Sequence, residues 1–161
     1  MAAKLQSPER QLAGFIAKFT PDIAALTYEV LAKMRARLPG SLELVYDNYN
    51  ALAIGFAPTE RMSETIFSIA VFPRGVSLYF FYGVLVPDPE TLLQGSGNQG
   101  RYIRLVDAKV LDEPGVKALM KSALELADPP IKRTTPHRII IKSISAKQRP
   151  RRPSVVAKRS R

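Results

Sequence analysis

Gly95, Gly97, Gly100, Arg101 and Arg104 are the residues whose types and spacing come nearest to phosphate chemistry. The three glycines satisfy G-x-G-x-x-G, but a dinucleotide fingerprint needs a strand before it and a helix N-terminus after it to receive the pyrophosphate. Here the flanking pattern is inverted, with a helix start signal at Asp88-Pro89 ahead of the glycines and a strand pattern from Tyr102 behind them. A P-loop is excluded as well, because Arg101-Tyr102 stands where Lys and then Ser or Thr would hold phosphate and magnesium. Two readings remain. The segment is a turn whose glycines take positive φ, or it is a simple anion site in which exposed loop N–H groups act with Arg101 and Arg104.

A second cluster, Tyr46, Asp47, Tyr49 and Asn50, lies at a strand end. Asp and Asn are ordinary turn residues, so this is a turn or a compact polar site. The chain has no cysteine and one histidine, His137, set between Pro136 and Arg138 and read as a surface residue. No base and nucleophile stand together, so the pattern points to a non-catalytic binding or accessory protein and not to an enzyme.

Charge divides the chain sharply. All fourteen acidic residues lie at or before Asp128, where thirteen Lys and Arg nearly balance them; eleven Lys and Arg and no acid follow. Lys142, Lys147, Arg149, Arg151, Arg152, Lys158, Arg159 and Arg161 therefore read as a polyanion-contacting arm, with nucleic acid as the natural partner. The tail has no aromatic residue to stack on bases, so the contact is expected to be sequence-blind. A solubilising tail, or a strand and tail packed on their own domain, is the alternative.

The elements that must position these residues follow from periodicity. Ser7-Pro8-Glu9 and Thr20-Pro21-Asp22 are helix starts, followed by Leu12, Phe15, Ile16 and Phe19, and by Ile23, Leu26, Val30, Met34 and Leu38, at helical spacing until Pro39-Gly40. Lys33, Arg35 and Arg37 then read as a solvated face. From Ser41 the period becomes two: Leu42 to Tyr46, Leu52 to Phe56, Ile66 to Phe72 and Val76 to Tyr82 form a four-strand antiparallel meander, the third and fourth central. Asp88-Pro89 starts a short helix, Tyr102 to Val106 is a fifth strand, and Val116, Leu119, Met120, Ala123, Leu124 and Ala127 mark a core helix after Asp112-Glu113-Pro114. Arg138 to Ser145 is β-branched enough for one more strand, at an edge. The expectation is an α+β fold: two N-terminal helices, an antiparallel sheet of five to six strands, a C-terminal helix packed on it, one domain over 1–145, and a basic mobile tail over 146–161. The N-terminus has no apolar signal core and the longest apolar run is too short to span a bilayer, so no membrane association and a cytoplasmic location are expected. Exposed edge strands admit a homodimer.

Residues 42–56 (LELVYDNYNALAIGF), 76–97 (VSLYFFYGVLVPDP with LLQGSG) and 141–153 (IKSISAKQRPRRP) together resemble the YdhG-like family, bacterial domains of mostly unknown function. The resemblance spans about residues 10 to 153 and implies helices packed on an antiparallel sheet. Some members are described as frataxin-like intracellular iron chaperones, so it also implies iron delivery as the alternative function. Iron wants oxygen ligands in groups, and Glu9, Asp22 and Glu29 are sparse among neutral residues and Lys. No metal site is assigned, and no cofactor is expected apart from that alternative.

Overall fold

The computed structural model describes residues 6–153. Helices α1 (Pro8–Ala17) and α2 (Pro21–Arg37) are followed by strands β1 (Leu42–Asp47), β2 (Leu52–Ala57), β3 (Phe67–Phe72), β4 (Gly75–Phe80) and β5 (Arg101–Leu105). Helix α3 (Pro114–Leu126) and strand β6 (Arg138–Ile144) complete the order. Each helix carries a proline in its first turn, where the missing N–H is no loss. Ser7 also caps α1 by accepting from the Arg10 amide at 3.2 Å.

The six strands form one sheet in the order β5-β4-β3-β2-β1-β6. Strands β1 to β5 are an antiparallel meander; tight turns join β1 to β2 and β3 to β4, while residues 58–66 and 81–100 connect β2 to β3 and β4 to β5. β6 adds at the far edge, parallel to β1, with a bulge opposite Val45 and Tyr46. The edge placement agrees with expectation; the parallel direction was not legible, because it depends on where the chain after α3 returns to the sheet. β2 and β3 are the central strands, while β4 has one further neighbour before the edge.

Side-chain alternation gives the sheet two unlike faces. Val45, Ile54, Phe56, Phe67, Ile69, Leu78, Phe80 and Ile103 pack against Leu12, Phe15 and Ile16 of α1, Val30, Leu31 and Met34 of α2, and Leu119 and Met120 of α3 in one continuous core. The opposite face holds a small cluster of Leu42, Leu44 and Ala57 with Tyr46 and Ile140, and no helix residue belongs to it. On β1 the helix-covered face is therefore Glu43, Val45 and Asp47. Both carboxylates on it are fully buried.

Two expectations are corrected. Asp88-Pro89 starts no helix: the Asp88 carboxylate accepts from the Leu92 and Leu93 amides at 2.8 Å each and closes a loop, with Thr91 at φ 55°. β4 ends at Phe80 and not at the expected Tyr82, and the apolar run beyond it makes a short 3-10 turn over Gly83–Leu85. Residues 146–153 were expected to belong to a mobile tail, and residues 154–161 of that expectation lie outside the described residues. Residues 146–153 pack on the domain, because a buried carboxylate at the end of β1 draws one of their arginines inward. Among the described residues, no helix is long and apolar enough to cross a membrane.

Candidate functional site

The end of the sheet that carries the Asp47–Ala51 and Phe72–Gly75 turns is built around Asp47. Its carboxylate accepts from Lys18 at 2.9 Å and, on the other oxygen, from Arg151 at 2.9 Å. Burial by itself would raise the Asp47 pKa, but the hydrogen bonds from Lys18 and Arg151, with the Gln148 amide alongside, outweigh it and hold the carboxyl below 3.8. Arg151 also donates to the main-chain carbonyls of Asn48 at 2.5 Å and Tyr49 at 3.4 Å. The strap 146–153 is pinned further by the Arg149 amide on the Tyr49 carbonyl, by the Arg149 guanidinium 5.6 Å from the Tyr49 ring centre, and by Arg152 on the carbonyls of Ala17 and Lys18 at the end of α1.

The polar cluster read from sequence is thereby split. Tyr46 and Asp47 point to opposite faces of β1, and Tyr49 and Asn50 sit exposed in the turn. Asp47 and Tyr49 anchor the strap, and the four residues do not converge on a common point. Tyr46 keeps its hydroxyl buried with no partner among the described residues, and burial raises its pKa.

The residues of the glycine loop do not converge on a common point either. Arg101 turns its guanidinium back onto the carbonyls of Gly97 at 2.6 Å and Gly100 at 2.7 Å, so the loop presents acceptors to its own arginine. Arg104 lies on the opposite face of β5, because 101 and 104 differ by an odd number of residues in a strand. Of the three glycines only Gly95 has a positive φ, at 117°.

Arg104 belongs to a different assembly. On the uncovered face, Phe72, Arg74, Gly75, Ser77, Tyr79, Tyr102 and Arg104 line a concavity of about 260 Å³. The Tyr79 and Tyr102 rings lie side by side across β4 and β5, 5.2 Å apart and inclined by 31°. A second concavity, of about 420 Å³, shares Phe72 and Arg74 with it and adds Asn50, Pro73, Arg149, Pro150, Arg152 and Pro153. Neither lining includes an acidic residue. Among the described residues, Arg74, Arg104, Arg149 and Arg152 form no ion pair with a carboxylate.

Four of the basic residues assigned to the arm therefore stand as follows. Arg149 and Arg152 face this surface; Arg151 is consumed by Asp47; Lys142 is exposed and donates to the Glu60 carbonyl on β6's side of the sheet. Lys147 is exposed on the strap. Lys158, Arg159 and Arg161 lie outside the described residues. Arg74, Phe72, Tyr79 and Tyr102 were missed as site residues because each has an ordinary structural reading, as a turn arginine or as strand aromatics. The available signal was their parity: Phe72, Tyr79, Tyr102 and Arg104 all fall on the strand face opposite the aliphatic residues.

The charged residues at the C-terminal end of α2 are engaged structurally. Glu43 is gripped by Arg35 through two hydrogen bonds of 2.6 and 2.8 Å and meets His137 Nε2 at 2.7 Å. The Glu43 hydrogen bond raises the Arg35 pKa. Lys33 and Arg37 both pair with Asp112, so the basic end of α2 is a docking surface for its neighbours and not a solvated face, and His137 is not a lone surface residue. For iron the donor set does not fit. All the acids and the histidine lie in the described region, where no three His, Asp or Glu side chains gather as ligands.

Protein-family models, curated proteins and solved structures give no match to this chain.

Proposed function

We propose that this protein is a small non-catalytic accessory protein of the YdhG-like type that binds single-stranded nucleic acid on the arginine-lined end of its sheet. The observation that carries the reading is the pair of adjoining concavities sharing Phe72 and Arg74, with four arginines and no acid in their lining. Guanidinium groups track the phosphates, while the Tyr79–Tyr102 pair supplies ring faces for bases. A duplex is the poorer fit, since paired bases cannot reach ring faces set into a sheet. The Asp47 cluster holds the strap that displays Arg149 and Arg152.

The test is fluorescence anisotropy of a labelled single strand and the matching duplex. Four phosphate contacts give a log–log salt slope of about −2.8 for a single strand, so affinity falls about fiftyfold between about 50 and 200 mM salt. Arg74→Ala with Arg104→Ala should remove about half of that slope, and Tyr102→Ala should weaken single-strand binding by about 1–3 kcal/mol. If the double arginine variant binds as the parent does at both salt concentrations, the reading is wrong.

A further inference from the structure

The opposite end of the strands carries a cavity of different character. It has a volume of about 220 Å³ and lies between the C-terminal turn of α3, the segment before β3 and the 3-10 turn after β4. Ile66, Phe80, Val86 and Ala123 form apolar walls. At the rim Tyr82, Leu85 and Leu126 are 38%, 63% and 52% exposed, a grouping of large apolar side chains that folding alone leaves unused. An apolar cavity of about 150 Å³ already accepts benzene, so this one has room for a single ring or a short aliphatic chain.

Its charged groups are all of one sign. Glu64 and Asp128 line it, and no basic residue does. The Glu64 side chain is 18% exposed; it takes a hydrogen bond from the Thr59 hydroxyl, and its nearest cation, Arg61, is 3.7 Å away on a side chain that is 75% exposed. Asp128 has no hydrogen-bond or ion-pair partner among the described residues. Thr65, only 3% exposed, also lines the cavity, and its buried hydroxyl has no partner there. A buried hydroxyl left unpaired costs free energy. The Tyr82 hydroxyl, by contrast, is satisfied by the Ser63 carbonyl at 2.5 Å and serves as wall.

We infer that this cavity binds a small apolar primary amine, its ammonium held by Glu64 and Asp128 and its hydrocarbon body among Ile66, Phe80, Ala123 and Leu126. Carboxylates at the mouth of an apolar pocket, here the largely buried Glu64 and the exposed Asp128, select a cation over a neutral isostere through a charge-assisted hydrogen bond. An anionic ligand is repelled by the same two groups. The site lies at the far end of the strands from the arginine surface and stands independently of the nucleic-acid reading.

The experiment is a titration of the full chain, labelled with nitrogen-15, by phenethylamine and by phenethyl alcohol, following amide shifts. The amine should perturb residues 63–66, 80–86 and 123–128 and bind about tenfold more tightly than the alcohol, the margin one charge-assisted hydrogen bond provides. Glu64→Gln with Asp128→Asn keeps the shape and should bring the two ligands to parity; Ala123→Phe, which fills the cavity, should abolish both, with thermal melts verifying that each variant is folded. Equal affinity of amine and alcohol in the parent chain overturns the inference. So do shifts that map elsewhere, or an absence of saturable shifts for the amine.

Discussion

Replacing Arg151 by Met tests whether the strap 146–153 is part of the folded domain. The Arg151 side chain is 4% exposed and faces a carboxylate that is 0% exposed, so the substitution leaves Asp47 buried with Lys18 as its one remaining cation. Removing one partner of a buried ion pair costs about 3–5 kcal/mol. Lys18, 43% exposed, offsets part of this, and a loss near the lower figure is expected. For a domain of this size, about 3 kcal/mol lowers Tm by about 6–12 °C. Asp47→Leu alone should cost a similar amount, by stranding the guanidinium. The Asp47→Leu, Arg151→Met double variant should lose less than either single change, because an apolar pair replaces a buried ionic one at little net cost. Acid adds a second reading of the same contact. The Asp47 pKa is lowered on folding, so its contribution is present above the unfolded value near 3.8 and is lost as pH falls through the lower folded value. Parent protein should therefore lose stability below about pH 4 more steeply than the double variant does. Urea denaturation across pH supplies both measurements; strict additivity of the two single variants would refute the reasoning.

Two further substitutions probe other parts of the frame. Glu43→Gln leaves Arg35 with a neutral partner on the buried side of β1 and should cost about 2–3 kcal/mol in urea denaturation, with a loss under about 0.5 kcal/mol counting against the contact. Gly40→Ala should destabilise by at least about 1–3 kcal/mol, since Gly40 sits at φ 91° and an added Cβ would run into the Lys132 carbonyl. A thermal melt unchanged from the parent would show that this turn is free to relax.

Most of the architecture was legible because the period signals were strong and local. Pro8, Pro21 and Pro114 mark all three helix starts, and α3 carries Val116, Leu119, Met120 and Ala123 on its buried face as its spacing predicts. Strand limits agree to within about two residues, the largest difference at β4, where apolar residues continue past Phe80 toward a 3-10 turn. Composition cannot tell a buried strand from a buried turn. The site was less legible. Arg101 and Arg104 share a sequence neighbourhood but not a face, and Arg74 and Arg149 share a face but not a neighbourhood. Only the sheet order brings the β3–β4 turn beside the strap, and that order depends on pairings distant in sequence. β1 was the most misleading strand. Its Leu42, Leu44 and Tyr46 set lies on the uncovered face, while the helices cover Glu43 and Asp47, whose desolvation is offset by Arg35, His137, Lys18 and Arg151.

Those two carboxylates also change what the basic C-terminal segment means. Counted from sequence, every Lys and Arg after Asp128 is available to a polyanion. In the fold, Arg151 is neutralised inside the domain, Arg138 pairs with Glu60, and His137 turns to Glu43. What the Asp47 contact provides in exchange is position: it fixes the strap so that Arg149 and Arg152 line one concavity with Arg74. The proposed binding would then be coupled to stability through a residue that does not itself line the surface. Arg151→Met, at a temperature where the variant is still folded, should weaken single-strand binding by releasing the strap, yet leave the salt slope near the parent value, because the phosphate-contacting arginines are all still present. Arg149→Ala with Arg152→Ala should instead lower the slope by about 1.4, the share of two phosphate contacts. If Arg151→Met changes slope and affinity as that pair does, Arg151 contacts the nucleic acid directly and the strap opens on binding; if it changes neither, the strap's position is irrelevant to the surface.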